Sequence, residues 1–368
     1  MWHSVGKHAE ESLRRCDTSY CLTGVVLSVL VWLSAATFAT DGSHSPAGTS
    51  AAMVVTCSTP SLEAPWTGSD TVSCTVSTTE ASTTEVVFAC EAAPGIACSV
   101  EPSRAQPRPG EDARVAARVT YAETLAPGRS TIKIVARRSS TVADTELVVT
   151  KDINSVSARC PTAAEIQTID RELRLVFTSD PTKGTAGCTK DAGSQDLTIM
   201  QSRVYRALAV MKRLTFTEPL PWTRESAYRW LIRAVRGVHF RADIQTSSCC
   251  SGDGFIDVRA VVEPGKFGGQ QGFGLAITEG KQMPTDFRML VSFMQLLVHE
   301  ARHADGKRHT CGTKDQTLME LGAWGTAHAF QSWIADRMAP GFVPDEVKAN
   351  LRQQTDQICH FQICQGCQ

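Results

Sequence analysis

Fourteen cysteines lie in this chain of 368 residues, and twelve of them follow one uncharged apolar segment. From Thr18 to Thr40 no residue is charged, and residues 22–39 are mostly apolar. Lys7, Arg14 and Arg15 precede the segment, and the small residues Ser34, Ala35, Ala36 and Ala39 close it. That order is the order of a secretory leader, and about 20 apolar residues also suffice to span a bilayer. Residues 1–39 therefore read as a signal peptide or signal anchor, the second case meaning membrane anchoring through residues 22–39. Either way the rest of the chain is secreted or extracytoplasmic, in the periplasm or at the cell surface. In an oxidising compartment, twelve cysteines form a disulfide framework that the downstream fold has to satisfy. Their connectivity is open at this level. Cys359, His360, Cys364 and Cys367 imitate a zinc knuckle, but the compartment favours disulfides there too.

Charge narrows the partners. Lys and Arg number 37 against 38 Asp and Glu, a net charge of −1. Nucleic-acid binding is excluded as an expectation, because it ordinarily shows as a basic domain. Hydrophobic content of 42% is that of a globular chain.

A polar linker over residues 40–52 leads into two regions of different texture. Residues 53–150 carry six alternating apolar stretches (MVVTCS, TVSCTVS, EVVFAC, RVAARVTY, STIKIVA and TELVVT) separated by Pro- and Gly-rich turns. Many short strands at regular spacing predict an antiparallel all-β sandwich. At the level of pattern the segment resembles bacterial immunoglobulin-like modules. It contains no histidine and no catalytic constellation, so a spacer role is expected of it.

From Lys151 the period changes from two to that of a helix. Ile166, Ile169, Leu173 and Val176 share one face, and so do Leu197, Met200, Val204, Leu208 and Met211. A third helix is expected from Pro221 to Arg236, stopped by Gly237. GVHFRADI and GFIDVRAVV read as strands around Cys249 and Cys250, and the glycine-rich residues 265–274 as a loop. Residues 151–368 are thus expected to form a mainly helical α+β domain.

Pro284–Asp305 reads as one long helix, with Thr285 as its N-cap and a largely apolar middle. Near its end stand His299, Glu300 and His303 in the pattern H-E-x-x-H. Four residues is just over one helical turn, so both imidazoles leave the same face and can ligate one zinc at about 2.0–2.1 Å. Glu300, about 100° around the helix, can reach a zinc-activated water as general base. Two buried imidazoles without partners would be unfavourable, so a metal satisfies the pattern.

The full string HEARHADGKRH fits H-E-x-x-H-x-x-G-x-x-H, and here the chain resembles the metzincin group of zinc peptidases. The resemblance covers 11 residues and implies that Gly306 breaks the helix and that His309 completes a His299, His303, His309 ligand set. A methionine turn is the group's other mark, and Met338 in DRMAPG is the only late methionine in a comparable place. A helix over Lys314–Arg337 offers a rival in Glu320, which shares a face with Ala323, Trp324 and Ala327. Gluzincins take their third ligand from such a glutamate; alternatively, Glu320 orients a ligating histidine or pairs with Arg302. His239 reads as a satisfied structural histidine, His328 as a residue that could line the site, and Cys311 as a disulfide anchor beside His309.

The expectation is an exported zinc metallopeptidase with an immunoglobulin-like module ahead of a zincin-like domain, acting on a peptide or protein substrate. HFRADI and FIDVRAVV would offer a sheet edge for an extended substrate, as the resemblance implies. The alternatives are a non-catalytic cell-surface binding protein with a zincin-derived domain, and a zinc hydrolase of non-peptide amides. Substrate specificity and oligomeric state are not legible.

Overall fold

The computed structural model describes residues 53–78, 84–107, 111–188, 196–250, 253–262, 273–275 and 287–367. The leader or anchor over residues 1–39, the linker, most of the glycine-rich stretch and the Thr285 cap lie outside the described residues. Ser50–Gln368 forms one compact unit.

Alternation of apolar and polar residues produces the strands of the first part. They are β1 (Met53–Cys57), β2 (Ser61–Glu63), β3 (Gly68–Thr78), β4 (Val86–Ala92) and β5 (Ile96–Glu101). β6 (Arg104–Ala105), β7 (Ala113–Tyr121), β8 (Gly128–Arg138) and β9 (Thr141–Lys151) follow. One sheet has the order β1-β3-β7-β5, all antiparallel. The other has the order β2-β9-β8-β4-β6, and in it β2 joins β9 in parallel, Leu62 opposite Val149. Val76, Ala117, Val119, Ile132, Ile134 and Val149 are fully buried in the core that the two sheets share. Cys57–Cys74 joins β1 to β3, and Cys90–Cys98 ties β4 of one sheet to β5 of the other.

The helices that follow are α1 (Ile153–Ala158), α2 (Ala163–Leu173), α3 (Ile199–Arg213) and α4 (Ala227–Ala234). α5 (Phe287–Ala304), α6 (Ala323–Asp336) and α7 (Asp345–Gln362) complete them. Capping boxes start the first three: Asp152 with Ser155, Thr162 with Glu165, and Thr198 with Gln201. Among them run the short strands β10 (Leu175–Phe177), β11 (Ala186–Cys188) and β12 (Leu197–Thr198). β13 (Gly237–Arg241), β14 (Ser248–Cys249), β15 (Phe255–Val262) and β16 (Phe273–Leu275) come next. β10, β13 and β15 pair in parallel, β14 is antiparallel to β15, and β16 pairs in parallel with its far end. α5 packs against α3, α4 and α6, and Phe293 on it lies 6.0 Å from the Phe240 ring of β13.

The expected class, a multidomain chain with an antiparallel immunoglobulin-like sandwich followed by a mainly helical zincin-like domain, requires correction. Helix and strand occur in about equal amounts, both five-stranded sheets are mixed, and the strand-rich and helix-rich parts belong to one compact unit. Each part has its own apolar core, but the seam between them is well packed. Trp66 lies 5.4 Å from the Phe342 ring, Arg159 grips Asp70 at 2.8 Å, and the Ile153 N–H donates to the Phe342 carbonyl at 2.7 Å. Lys151, 3% exposed, donates to the carbonyls of Glu123 and Leu125. Alternation within a strand sets which face is buried; it carries no information on whether a distant partner runs parallel or antiparallel.

Candidate metal centre

α5 brings His299, Glu300 and His303 to its last two turns, where Val298 and Ala301 still belong to the apolar core. His299 and Glu300 are each 6% exposed. Gly306 then stops the helix. At φ 84° it occupies the left-handed region, which glycine enters without the strain that a Cβ brings. Its N–H donates to the His303 carbonyl, and that of Lys307 to the Arg302 carbonyl. The reversed chain carries His309 back over the helix end.

Three imidazoles converge as a result. One nitrogen from each of His299, His303 and His309 lies within 4.8 Å of the others. Ring centroids are 5.0 Å apart for His299 and His303, 4.7 Å for His303 and His309, and 5.4 Å for His299 and His309. Two of the three rings are engaged through Nδ1 by groups outside this set. His303 Nδ1 donates to the Lys307 carbonyl at 2.7 Å. His309 Nδ1 donates to Asp315 Oδ1 at 2.9 Å. His299 Nδ1 is buried with no hydrogen bond of ordinary geometry, and the Ala323 backbone lies near the ring. Nε2 is thereby left as the free nitrogen of the His303 and His309 rings, and contacts of this kind fix tautomer and orientation in histidine metal sites.

Asp315 has no solvent exposure. Its second oxygen accepts the Gly325 N–H at 2.8 Å, near the start of α6, where a carboxylate is favoured by the helix dipole. A Cβ on Gly322 would come within 2.5 Å of that carboxylate, so glycine there makes room for it. The Cys311–Cys364 disulfide and backbone bonds to the α7 end (Asp315 N–H to Gln362, Cys364 N–H to Asp315) hold the loop. Trp324 covers one side, its ring 4.1 Å from His299, with its indole N–H on the Thr313 carbonyl.

Electrostatics suit a cation. Burial, then the neighbouring His303 and His309, hold the His299 imidazole well below its ordinary pKa. Burial does the same for His303, against a smaller opposite effect of the Lys307 carbonyl. Neutral imidazoles are the form that ligates. Burial raises the Glu300 carboxyl to about 7, offset in part by a hydrogen bond from the Cys249 backbone. A donor set of three such imidazoles fits zinc.

The predicted ligands His299, His303 and His309 are thus together, and Glu320 is not among them. The expected helix over Lys314–Arg337 begins only at Ala323, because Asp315 and Glu320 organise the preceding residues as a loop. Glu320 accepts from the Thr310 hydroxyl and from the Gln316 and Thr317 N–H groups. Burial alone would push its pKa up, but these bonds outweigh it and hold the carboxyl down. Arg302 turns to Asp305 and the Leu321 carbonyl rather than to Glu320.

The expected substrate edge also needs correction: β13 lies between β10 and β15, and β15 between β13 and β14. The strand beside Glu300 is β14, which ends in the Cys249–Cys250 disulfide. His239 is occupied by Thr178 and Asp257. His328 sits near Cys359 and Cys367, which are disulfide-bonded, not at the triad. Met338 packs against the helical core. Asp315, Gly322 and Trp324 were not anticipated; an aspartate six residues after His309 matches no spacing rule.

Comparisons add little. No family model matches, and no curated protein matches. Solved structures with local similarity include a FixG-related protein from Vibrio parahaemolyticus (16% identity, TM-score 0.23, 28% of this chain and 97% of that one). Another is native alpha-2-macroglobulin from Escherichia coli, spanning domain MG7 to the C-terminus (10% identity, TM-score 0.23, 83% of this chain and 49% of that one). A third is SSP-19, an MSP-domain protein like family member in Caenorhabditis elegans (12% identity, TM-score 0.19, 26% and 98%). Similarities of this size define neither fold nor function. The remaining described cysteines pair as Cys160–Cys188, and the six disulfides among the described residues are those of an extracellular protein. Among the described residues no helix is long and apolar enough to cross a membrane.

Proposed function

We propose that the protein is an exported zinc-dependent hydrolase of peptide bonds, with His299, His303 and His309 holding the metal and Glu300 as general base. The observation that carries this reading is the convergence of three imidazoles, two of which have Nδ1 held by a backbone carbonyl or a buried carboxylate. Zinc bound there supplies Lewis-acid chemistry, polarising a carbonyl and acidifying water. Glu300 accepts the proton of the attacking water and delivers it to the leaving amine. A carboxyl whose pKa lies near 7 can do both at neutral pH. Asp315 holds the His309 ring, the Lys307 carbonyl holds that of His303, and Trp324 excludes water from one side. Residues 1–39 act as the leader or membrane anchor that delivers the chain to the periplasm, the cell surface or the medium.

Incubation of the purified protein with zinc and a broad peptide library tests the reading. Cleavage should be abolished by a chelator, and Glu300→Ala should lower it by about 10²–10⁴-fold with zinc content unchanged. Undiminished cleavage in Glu300→Ala overturns the general-base role. One equivalent of zinc with no cleavage of any peptide overturns the peptidase reading and returns the binding-protein alternative. Turnover confined to non-peptide amides keeps the hydrolase and changes its substrate class.

A further inference from the structure

Five of the disulfides among the described residues join cysteines 8–53 residues apart in sequence and so close loops of chain. The sixth, Cys249–Cys250, joins neighbours, with a sequence separation of 1. A crosslink stabilises mainly by restricting the loop it closes in the unfolded chain, and this one closes none. Its effect is confined to the peptide group between the two residues and to the direction of the chain after it.

That direction is unusual. Cys250 has φ 107°, in the half of backbone space that only glycine enters freely. A residue persists there only when its surroundings hold it, and such positions cluster at functional sites. The surroundings are the two-residue strand β14, with Cys249 opposite Ile256 of β15, and α5, which packs on β14. Both cysteines are half-buried against the apolar core, so a small solute can reach them. The Cys249 N–H donates to the Glu300 carboxylate, a side chain of a residue only 6% exposed. The ring of two neighbouring cysteines is therefore built directly onto the backbone group that holds the general base.

We propose that the Cys249–Cys250 pair is a redox-set positioning element for Glu300. Closed, the ring fixes the backbone whose N–H holds the carboxylate. Opened, Cys250 relaxes out of its unfavourable conformation and the N–H lets go. Opening is a two-electron reduction by a thiol. A donor thiolate attacks one sulfur and the other leaves as a cysteine thiolate; a second donor thiolate then displaces the first sulfur. Two cysteine thiols and one donor disulfide result, the cysteines taking up the protons that the donor thiols release. The contact stands by itself, while its catalytic consequence rests on the hydrolase reading above. A chain still reduced before export would hydrolyse slowly, and the oxidising compartment would bring the base into place.

The experiment places the purified full chain, metal-free and zinc-loaded, in glutathione buffers of graded reduced-to-oxidised ratio. Differential alkylation with mass spectrometry reports which pairs open. Hydrogen exchange follows the Cys249 amide in the metal-free protein, and peptide cleavage and zinc content are measured on the loaded one. Opening of Cys249–Cys250 should speed exchange of that amide by about tenfold or more, the loss of one hydrogen bond to a charged group. Glu300→Ala should speed it similarly in the oxidised protein. With opening, kcat should fall by about tenfold or more as Glu300 loses its position, with KM and zinc content little changed, and oxidised glutathione should restore it. Cys249→Ser combined with Cys250→Ser should show the lowered kcat and fast exchange at every ratio; if that variant does not fold, the wild-type titration carries the test. Amide exchange indifferent to opening, a pair that opens only when the whole chain unfolds, a glutathione response that persists in the double variant, or zinc lost in step with kcat would overturn the proposal. If the oxidised chain cleaves no peptide, the hydrolase reading fails on its own, and the exchange still decides whether the ring holds Glu300.

Discussion

Asp315 reaches His309 through one carboxylate oxygen at 2.9 Å and the Gly325 N–H through the other at 2.8 Å, with no exposure to solvent. The aspartate thus links the third imidazole to the start of α6. The ring of His309 is held from behind by a group that sits six residues away in sequence and wholly inside the fold.

Asp315→Ala should therefore lower zinc affinity by about 10–100-fold, the usual effect of removing a residue that orients a ligand. Gly322→Ala should act in the same direction, because the added Cβ meets the carboxylate at 2.5 Å. Competition with a chromophoric chelator measures both. Wild-type affinity in Asp315→Ala would sink the idea that this carboxylate positions His309.

His309→Ala and Glu320→Gln should separate cleanly. The first loses stoichiometric zinc. The second keeps it and loses about 1 kcal/mol of stability, since Glu320 organises residues 310–317 through three hydrogen bonds. Metal analysis of the two purified variants decides the matter, and zinc loss from Glu320→Gln would reverse the assignment.

Glu300 makes the metal-free protein sensitive to pH. Its carboxyl is raised from 4.5 to about 7 in the folded state. The folded state then holds its proton more tightly than the unfolded one, so stability is full below about pH 4.5 and falls as pH rises through 7. Glu300→Gln removes that loss. After chelation, the variant should match wild type near pH 4.5 and exceed it by on the order of 3 kcal/mol near pH 8. A pH-independent gap between the two denaturation curves contradicts the assignment.

The Cys311–Cys364 crosslink closes a segment of 53 residues. Cys311→Ser combined with Cys364→Ser should cost about 2–4 kcal/mol of stability. Zinc affinity should fall with it, because the loop carrying His309 and Asp315 loses its tie to the end of α7. Thermal denaturation with and without zinc reads both effects; an unchanged metal affinity would mean that the backbone bonds alone hold the loop.

Local spacing made part of this site legible. His299 and His303 are one turn apart on a helix, and Gly306 and His309 follow at intervals that a chain reversal satisfies. Asp315 and Gly322 escaped because their partners are set by the docking of a loop onto α6 and α7, which leaves no periodic trace. Glu320 misled for the same reason: its i, i+3, i+4 neighbours form a helical face only if the helix begins before it, and three hydrogen bonds hold it in a loop instead. In the strand-rich part, the six alternating stretches lie in β1, β3, β4, β7, β8 and β9. The parallel seat of β2 on β9 and the packing of Trp66 on Phe342 join distant segments, so the single compact unit was hidden.

The backbone pairing of Asp315 with Gln362 and Cys364 has a consequence for the order in which the molecule matures. A histidine pair on α5 exists as soon as that helix forms, but the third nitrogen stays unplaced until a segment made some fifty residues later arrives and is oxidised against Cys311. On the proposed zinc role, a nascent or reduced chain would offer only two of the three imidazoles. Full retention of the proposed metal would then be a late property, acquired only where oxidants and the completed C-terminal helix are both present.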